Sequence, residues 1–267
     1  ISGNQAGLNV NAAVRTDKNT QFTFITNATA SAASNQFIHF NDVTPHRHYQ
    51  DTIFMGLEEH MLSQNEKDAI DSNIDIRLNL QIDATPNANI KIIIDPVAGD
   101  YMSANGNGNI RLDYYNKGDV RLFGNYEITK GLYKFSLQEV IRKDFTIKQG
   151  SNITFNGNPR EAVLDIRTQY TVNSVSLNDL IPQESLITSQ PHIKVNCLMN
   201  LSGQLTNSNI TFNLDLPSES DEVRTLVKNY ISTEEQMNMQ VLYLLGIGKF
   251  YTTDNGNQSS DMMSSVL

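Results

Sequence analysis

The sequence predicts a mainly β chain, a long antiparallel meander followed by a short C-terminal helical hairpin. Three observations lead there. Apolar and polar residues alternate at period two over most of the chain up to Leu216, the pattern of strands that bury one face. Glycine, proline and asparagine interrupt that alternation roughly every eight to twelve residues, as connections between strands do. Beyond Pro217 the apolar spacing becomes helical.

Taken in order, Leu8 and Val10, then Phe22, Phe24 and Thr26, alternate weakly. Residues 27–35 read as an Ala/Ser/Thr/Asn-rich loop, Phe37–Phe40 as a short strand and Asn41–Tyr49 as a surface loop. Gly56–Ala69 has no apolar stripe at helical spacing and reads as a polar excursion between strands. The clearest alternation follows: Ile74, Ile76, Leu78, Leu80 and Ile82 share one face, and after a turn at Ala84–Asn87 so do Ile90, Ile92 and Ile94. Asn105-Gly106-Asn107-Gly108 combines residues that accept positive φ and predicts a hairpin. Ile110 and Leu112 lead to a turn at Asn116–Gly118.

Gly118–Tyr170 is the most regular stretch. Tyr126 and Ile128 alternate up to a break at Gly131, and Tyr133, Phe135 and Leu137 resume the pattern. Phe145 and Ile147 precede Gly150, Ile153 and Phe155 precede Gly157 and Pro159, and Leu164 and Ile166 follow. Ile193, Val195, Cys197 and, after a turn at Thr206–Asn209, Ile210, Phe212 and Leu214 complete the β pattern.

Ser218–Tyr230 then carries Val223, Leu226 and Val227 at helical spacing. Ser232–Glu235 predicts a capping box with Ser232 as N-cap, opening a second helix with Met237, Val241, Leu244 and Leu245 that stops at Gly246 or Gly248. The chain thus divides into a β-sheet domain, 1–217, with the polar excursion at 56–69, and a helical segment, 218–267; that the sheet is a curved groove is what a resemblance given below implies.

Composition removes several function classes. The formal charge is −9, and the 20 basic residues are scattered, which argues against nucleic acid and against docking on an anionic membrane by charge. A lone Cys197 on an apolar alternation reads as a buried structural thiol and excludes an intrachain disulfide framework. His39, His46, His48, His60 and His192 fit no metal-ligand spacing, and no nucleophile elbow occurs. The expectation is therefore no enzyme, no cofactor and no metal. No apolar run reaches the ~20 residues that span a bilayer. An Ile at position 1 and the abrupt close at Ser264–Leu267 suggest a piece of a longer protein.

A sheet that is apolar on one face must hide it. Alternation alone leaves open a sandwich, a closed solenoid of the kind that serves as an adhesin or scaffold with a filled interior, and an open trough suited to acyl chains. Composition leans toward the filled forms.

An ordered series of segments goes further. Gly124-Asn125-Tyr126, Gly131–Leu137 (GLYKFSL), Lys143–Ile147 (KDFTI), Gly150–Pro159 (GSNITFNGNP), Leu201–Leu205, Phe212–Pro217 and Glu234–Gly246 together resemble the C-terminal domain of the TamB family, in the Asn-rich style of Bacteroidetes-type bacteria. The likeness covers about Ile74–Leu267 and is looser before it. Asn125, Ser151 and Phe155 stand where the family often has Asp, Gly and Trp.

The resemblance implies an open, taco-like trough with an apolar interior. It implies a periplasm-facing envelope protein, held in the inner membrane by an N-terminal helix outside this sequence and meeting a BamA-type outer-membrane partner. It further implies roles in moving phospholipid between the two membranes and in outer-membrane protein assembly. On this reading the groove, which holds acyl chains, is lined by Ile74, Ile76, Leu78, Leu80, Ile82, Ile90, Ile92, Ile94, Ile110, Leu112, Tyr126, Ile128, Tyr133, Phe135, Leu137, Ile153, Phe155, Leu164, Ile166, Ile193, Val195, Ile210, Phe212 and Leu214. A charged pocket along such a path is not expected, because a tight head-group site would stall sliding.

Overall fold

The computed structural model describes residues 2–4, 7–18, 20–25, 75–137, 141–182 and 192–252. The expectations for residues 27–35, Phe37–Phe40, Asn41–Tyr49 and Gly56–Ala69, and for Ile74, lie outside the described residues. Among the described residues twelve strands form one sheet: β1 (Ser2–Asn4), β2 (Gly7–Arg15), β3 (Gln21–Ile25), β4 (Asp75–Ala84), β5 (Asn89–Asp95), β6 (Asp100–Tyr115), β7 (Arg121–Leu137), β8 (Ile141–Ile147), β9 (Ser151–Gly157), β10 (Val163–Ser176), β11 (His192–Gln204) and β12 (Asn207–Asp215). Helices α1 (Asp221–Tyr230) and α2 (Glu234–Ile247) follow. The chain is mainly β with two terminal helices, as the sequence predicts. Among β4 to β12 every pair is antiparallel, whereas β2 runs parallel to β4 and β3 parallel to β5. Alternation reports which face a residue takes and is silent on strand direction.

The strands do not simply follow one another as neighbours. β4 and β5 both pair with β6, end to end, and β8 and β9 both pair with β7 in the same way. Proline and glycine between them therefore make corners rather than reversals. The corners fall in line across the sheet. They lie at residues 16–18 and 20 between β2 and β3, at 85–88 between β4 and β5, at an irregularity between Asn105 and Gly106 opposite Thr129, and at 148–150 between β8 and β9. Side chains stitch this crease: the Thr85 N–H donates to Thr16 Oγ1 (2.8 Å), Asn105 Nδ2 to the Ala88 carbonyl (2.6 Å), Thr129 Oγ1 to the Asn105 carbonyl (2.9 Å), and the Arg167 N–H to Ser151 Oγ (3.0 Å). The crease divides the sheet into two limbs. One holds β2, β4, β9 and the halves of β6 and β7 beside them; the other holds β3, β5, β8 and the remaining halves.

Register keeps one face continuous across strands. Phe22, Ile90, Ala104, Gly131, Ile147, Thr168, Met199 and Phe212 are successive cross-strand partners from β3 to β12 on one side of the crease. Ala84, Gly108, Tyr126, Ile153, Leu164 and Gly203 do the same on the other. The opposite face is polar, with the Arg77 guanidinium over Tyr115, Arg111 over Phe123 and Lys91 over Tyr101.

Two glycine readings are corrected by this register. Asn105–Gly108 is no hairpin; it runs inside β6. A Cβ on Gly106 would stand 2.1 Å from the Glu127 carbonyl oxygen and 3.0 Å from the Tyr126 ring. The glycine is there because the neighbouring backbone and ring leave no room. Gly131 likewise does not interrupt β7: it lies against Ala104 and Ile147, where a Cβ would come within 2.9 Å of each.

The helices begin at capped ends. Ser220 caps α1, its Oγ accepting the Val223 N–H. For α2 the N-cap is Thr233, not Ser232, and Gln236 rather than Glu235 reaches back. Gln236 Oε1 accepts the Ser232 N–H at 2.8 Å and the Thr233 N–H at 3.2 Å, and an amide oxygen serves this as well as a carboxylate. Gly248, at φ 73°, closes the helix in the left-handed region.

Candidate functional site

Side chains of both limbs line one apolar cavity of about 510 Å³. Phe22 and Phe24 of β3 and Ile90 and Ile92 of β5 come from one limb. Ile82 and Ala84 of β4, Ile110 and Leu112 of β6, Leu122 and Tyr126 of β7, and Ile153 and Phe155 of β9 come from the other. Ala88 and Leu205 add to the wall. Polar groups are sparse and sit at the margin: Thr23, Asn89, Asp119, Arg121, Asn158 and Arg160. A volume in the ~300–1,000 Å³ range is that of a small-molecule pocket.

Toward β12 the same face is closed by the protein itself. Phe135 meets Tyr133, Phe145 and Phe212 edge-on at centroid distances of 6.1, 5.9 and 6.5 Å, and Phe145 meets Tyr170 at 5.7 Å. Helix α2 lies over β12, β11 and β8 and buries Val241, Leu244 and Leu245. Gln240 pins the chain after the helix, its Nε2 donating to the Tyr251 carbonyl and its Oε1 accepting the Tyr251 N–H.

The structure separates the sequence-predicted lining residues by this division. Ile82, Ile90, Ile92, Ile110, Leu112, Tyr126, Ile153 and Phe155 line the cavity. Ile94, Ile128, Tyr133, Phe135, Leu164, Ile166, Ile193, Val195 and Ile210 are packed core on the same face. Leu78, Leu80, Leu137, Phe212 and Leu214 are half-buried, and Ile76 is 37% exposed at the open start of β4. Residues that alternation did not mark as lining, namely Phe22, Phe24, Leu122, Ala84, Ala88 and Leu205, complete the wall. Phe22 and Phe24 do alternate, but their five-residue strand gives too short a pattern to rank beside the later ones.

Titratable groups on this face are few. The Cys197 thiol is fully buried, and burial pushes it up to about 12, so it is inert as a nucleophile. Burial also raises Tyr126 to about 12, opposed by a hydrogen bond with the Gly106 backbone. Asp100 is buried at the start of β6 and accepts the Ser136 N–H at 2.5 Å. Burial dominates there and raises its carboxyl from 3.8 to about 7, with the nearby Asp95 charge adding to the effect.

Folded protein thus binds one more proton than unfolded chain between about pH 3.8 and 7. The contribution of Asp100 to stability is fully present below that window and is lost as pH rises through it. We expect stability to fall by about 2 kcal/mol over this range, half of what the full displacement corresponds to. Asp100→Asn, which keeps the acceptor for Ser136, should flatten the slope in urea titrations. An unchanged slope would show that Asp100 ionises as in the unfolded chain.

With this geometry in place, comparison with known proteins is decisive. The family model for the TamB C-terminal domain matches residues 1–267, the whole chain. The chain belongs to the TamB family. The match includes the first seventy residues, where the sequence alone gave only a loose likeness. No curated protein matches the chain. TamB membership implies a periplasmic, envelope-associated protein and suggests a role in outer-membrane protein assembly or lipid transport. Among the described residues, no helix is long and apolar enough to cross a membrane.

Proposed function

We infer that this TamB domain is a non-enzymatic conduit whose creased sheet forms a trough and shields phospholipid acyl chains between the inner and outer membranes. In the full-length protein an N-terminal helix outside this sequence anchors it in the inner membrane, and a BamA-type protein receives it at the outer membrane. The observation that carries this reading is the apolar cavity walled by both limbs, continuous with a packed apolar face. Moving a ~16-carbon chain through water exposes methylenes at about 0.8 kcal/mol each, on the order of 13 kcal/mol in all. Isoleucine, leucine and phenylalanine walls offset most of that without binding more tightly than a bilayer, so exchange with either membrane needs little driving force.

Purified protein should carry phospholipid detectable by mass spectrometry of an organic extract. Phe24→Arg and Leu112→Arg place charge in the cavity at positions that are only half-buried, so the fold tolerates them better than changes in the packed core. Each is expected to lower bound lipid roughly ten-fold or more. Lipid-free protein that also takes up no lipid from vesicles would refute the conduit and favour a scaffold with a filled interior.

A further inference from the structure

We propose that a second pocket, at the end of the limb that holds β5 and β8, binds a phosphate group through Ser136, Lys134, Arg142 and Lys143. It shares no lining residue with the apolar cavity, so a charged group held there does not obstruct acyl chains.

Strand pairing assembles the pocket. Ser136 of β7 is the cross-strand partner of Arg142 of β8, and Lys134, two residues earlier on the same face, is the partner of Asp144. The turn Val97–Gly99 adds a wall, held by the Val97 and Ala98 N–H groups, which donate to Asp95 Oδ1 at 2.9 and 3.0 Å. A Cβ on Gly99 would meet nothing within 4 Å, so the space beside that turn is open. Lys143 also borders the pocket, its Nζ 5.4 Å from the centroid of the Tyr170 ring. Basic residues are sparse along the chain, and the β7–β8 register gathers three of them here.

Two independent observations point to an anion. The first is charge. Lys134, Arg142 and Lys143 face one carboxylate, Asp144, which leaves two positive charges in excess. Asp144 lies 3.9 Å from Lys134 with both side chains well exposed, a pairing that offsets little. Among the described residues Arg142 and Lys143 form no ion pair within 4.0 Å. The second is a hydroxyl. Ser136 is 5% exposed, and its buried Oγ has no hydrogen-bond partner among the described residues. Its N–H is already given to Asp100 Oδ1, so the hydroxyl is the donor left over. A buried hydroxyl without a partner is costly, and an acceptor entering the pocket relieves that cost.

The donor set suits phosphate. A guanidinium binds two phosphate oxygens side by side, while the ammonium groups and the hydroxyl donate singly. A phosphate presents more oxygens than a carboxylate and spreads them in three dimensions, which fits donors carried by two strands. The group belongs to a small phosphate compound in solution or to a lipid head at a bilayer surface, and the two sources are separable.

The test is a phosphorus NMR titration of the full chain with inorganic phosphate at constant ionic strength, beside flotation with phosphatidylglycerol and with phosphatidylcholine vesicles. Saturable binding is expected, with a Kd on the order of 1 mM. Arg142→Gln, at an exposed position, should weaken phosphate about ten-fold. Lys130→Gln removes an equal charge from an exposed position outside the pocket and should leave binding unchanged. Ser136→Ala should weaken phosphate about three-fold or more and raise the urea midpoint of phosphate-free protein, because it deletes the unpaired hydroxyl.

Phosphatidylglycerol binding that excess phosphate displaces would assign the pocket to a lipid head. Phosphate binding without vesicle binding would assign it to a soluble phosphate compound. Absence of saturable phosphate binding together with absence of any vesicle preference would overturn the site and leave the conduit standing. Equal losses for Arg142→Gln and Lys130→Gln would reduce it to an effect of overall charge and overturn it as well. Unchanged affinity in Ser136→Ala would remove the hydroxyl from the site.

Discussion

Replacing Leu245 by Asp is expected to undock α2 and cost roughly 4 kcal/mol or more of stability. Leu245 is fully buried beneath the helix that covers β12, β11 and β8. Aspartate there loses the apolar contact and places a carboxylate within the buried apolar cluster to which Val241 and Leu244 also belong. Denaturant unfolding would register the loss, and binding of a hydrophobic dye should rise because the face toward β12 becomes accessible. Val241→Ala, a truncation at another fully buried position of the same helix, should cost about 1–2 kcal/mol and leave dye binding low. A loss below about 1 kcal/mol for Leu245→Asp would show that α2 is not part of the cooperative core.

Gly106→Ala should be among the most damaging single methyl additions in the sheet, with an expected loss of about 3 kcal/mol or more. The added Cβ would sit 2.1 Å from a backbone oxygen of Glu127, and backbone cannot swing aside as the end of a side chain can. β6 would have to part from β7 just where the crease passes between them. Gly99→Ala is the control for surface glycine, since a Cβ there meets nothing within 4 Å. That position has φ 82°, so its cost is confined to backbone strain of about 1 kcal/mol. Equal losses for the two variants, in thermal or urea unfolding, would refute the packing role assigned to Gly106.

Much of the fold was legible because strand alternation states which side chains share a face. From β4 to β12 the apolar positions named from sequence do share one. The helical pair and its boundaries were legible from spacing, although the cap moved by one residue because Thr233 and Gln236 offer the same hydrogen bonds as Ser232 and Glu235. Connectivity was not legible in the same way. Thr85–Ala88 and Lys148–Gly150 carry the turn residues of a hairpin, and nothing local distinguishes a chain that reverses from one that bends and continues along the same neighbour. Glycines were misread for a related reason: at Gly106 and Gly131 the constraint comes from residues 16 to 28 positions away on neighbouring strands. The candidate site shows the same limit. Its face was legible from Ile82, Ile110 and Tyr126, but the boundary between cavity and packed core is drawn by Phe22 and Phe24 from one end of the chain and α2 from the other.

The crease also has a mechanical meaning. Rows of paired residues run unbroken from β3 to β12, so tension along that direction loads many backbone hydrogen bonds together. Across it, among the described residues, the limbs are joined where β6, β7 and β10 pass through and by short corners held with threonine and asparagine side chains. The domain is therefore expected to be stiff lengthwise and compliant in its opening angle. Such anisotropy suits a strut under load between two surfaces whose girth must still adjust to what it holds.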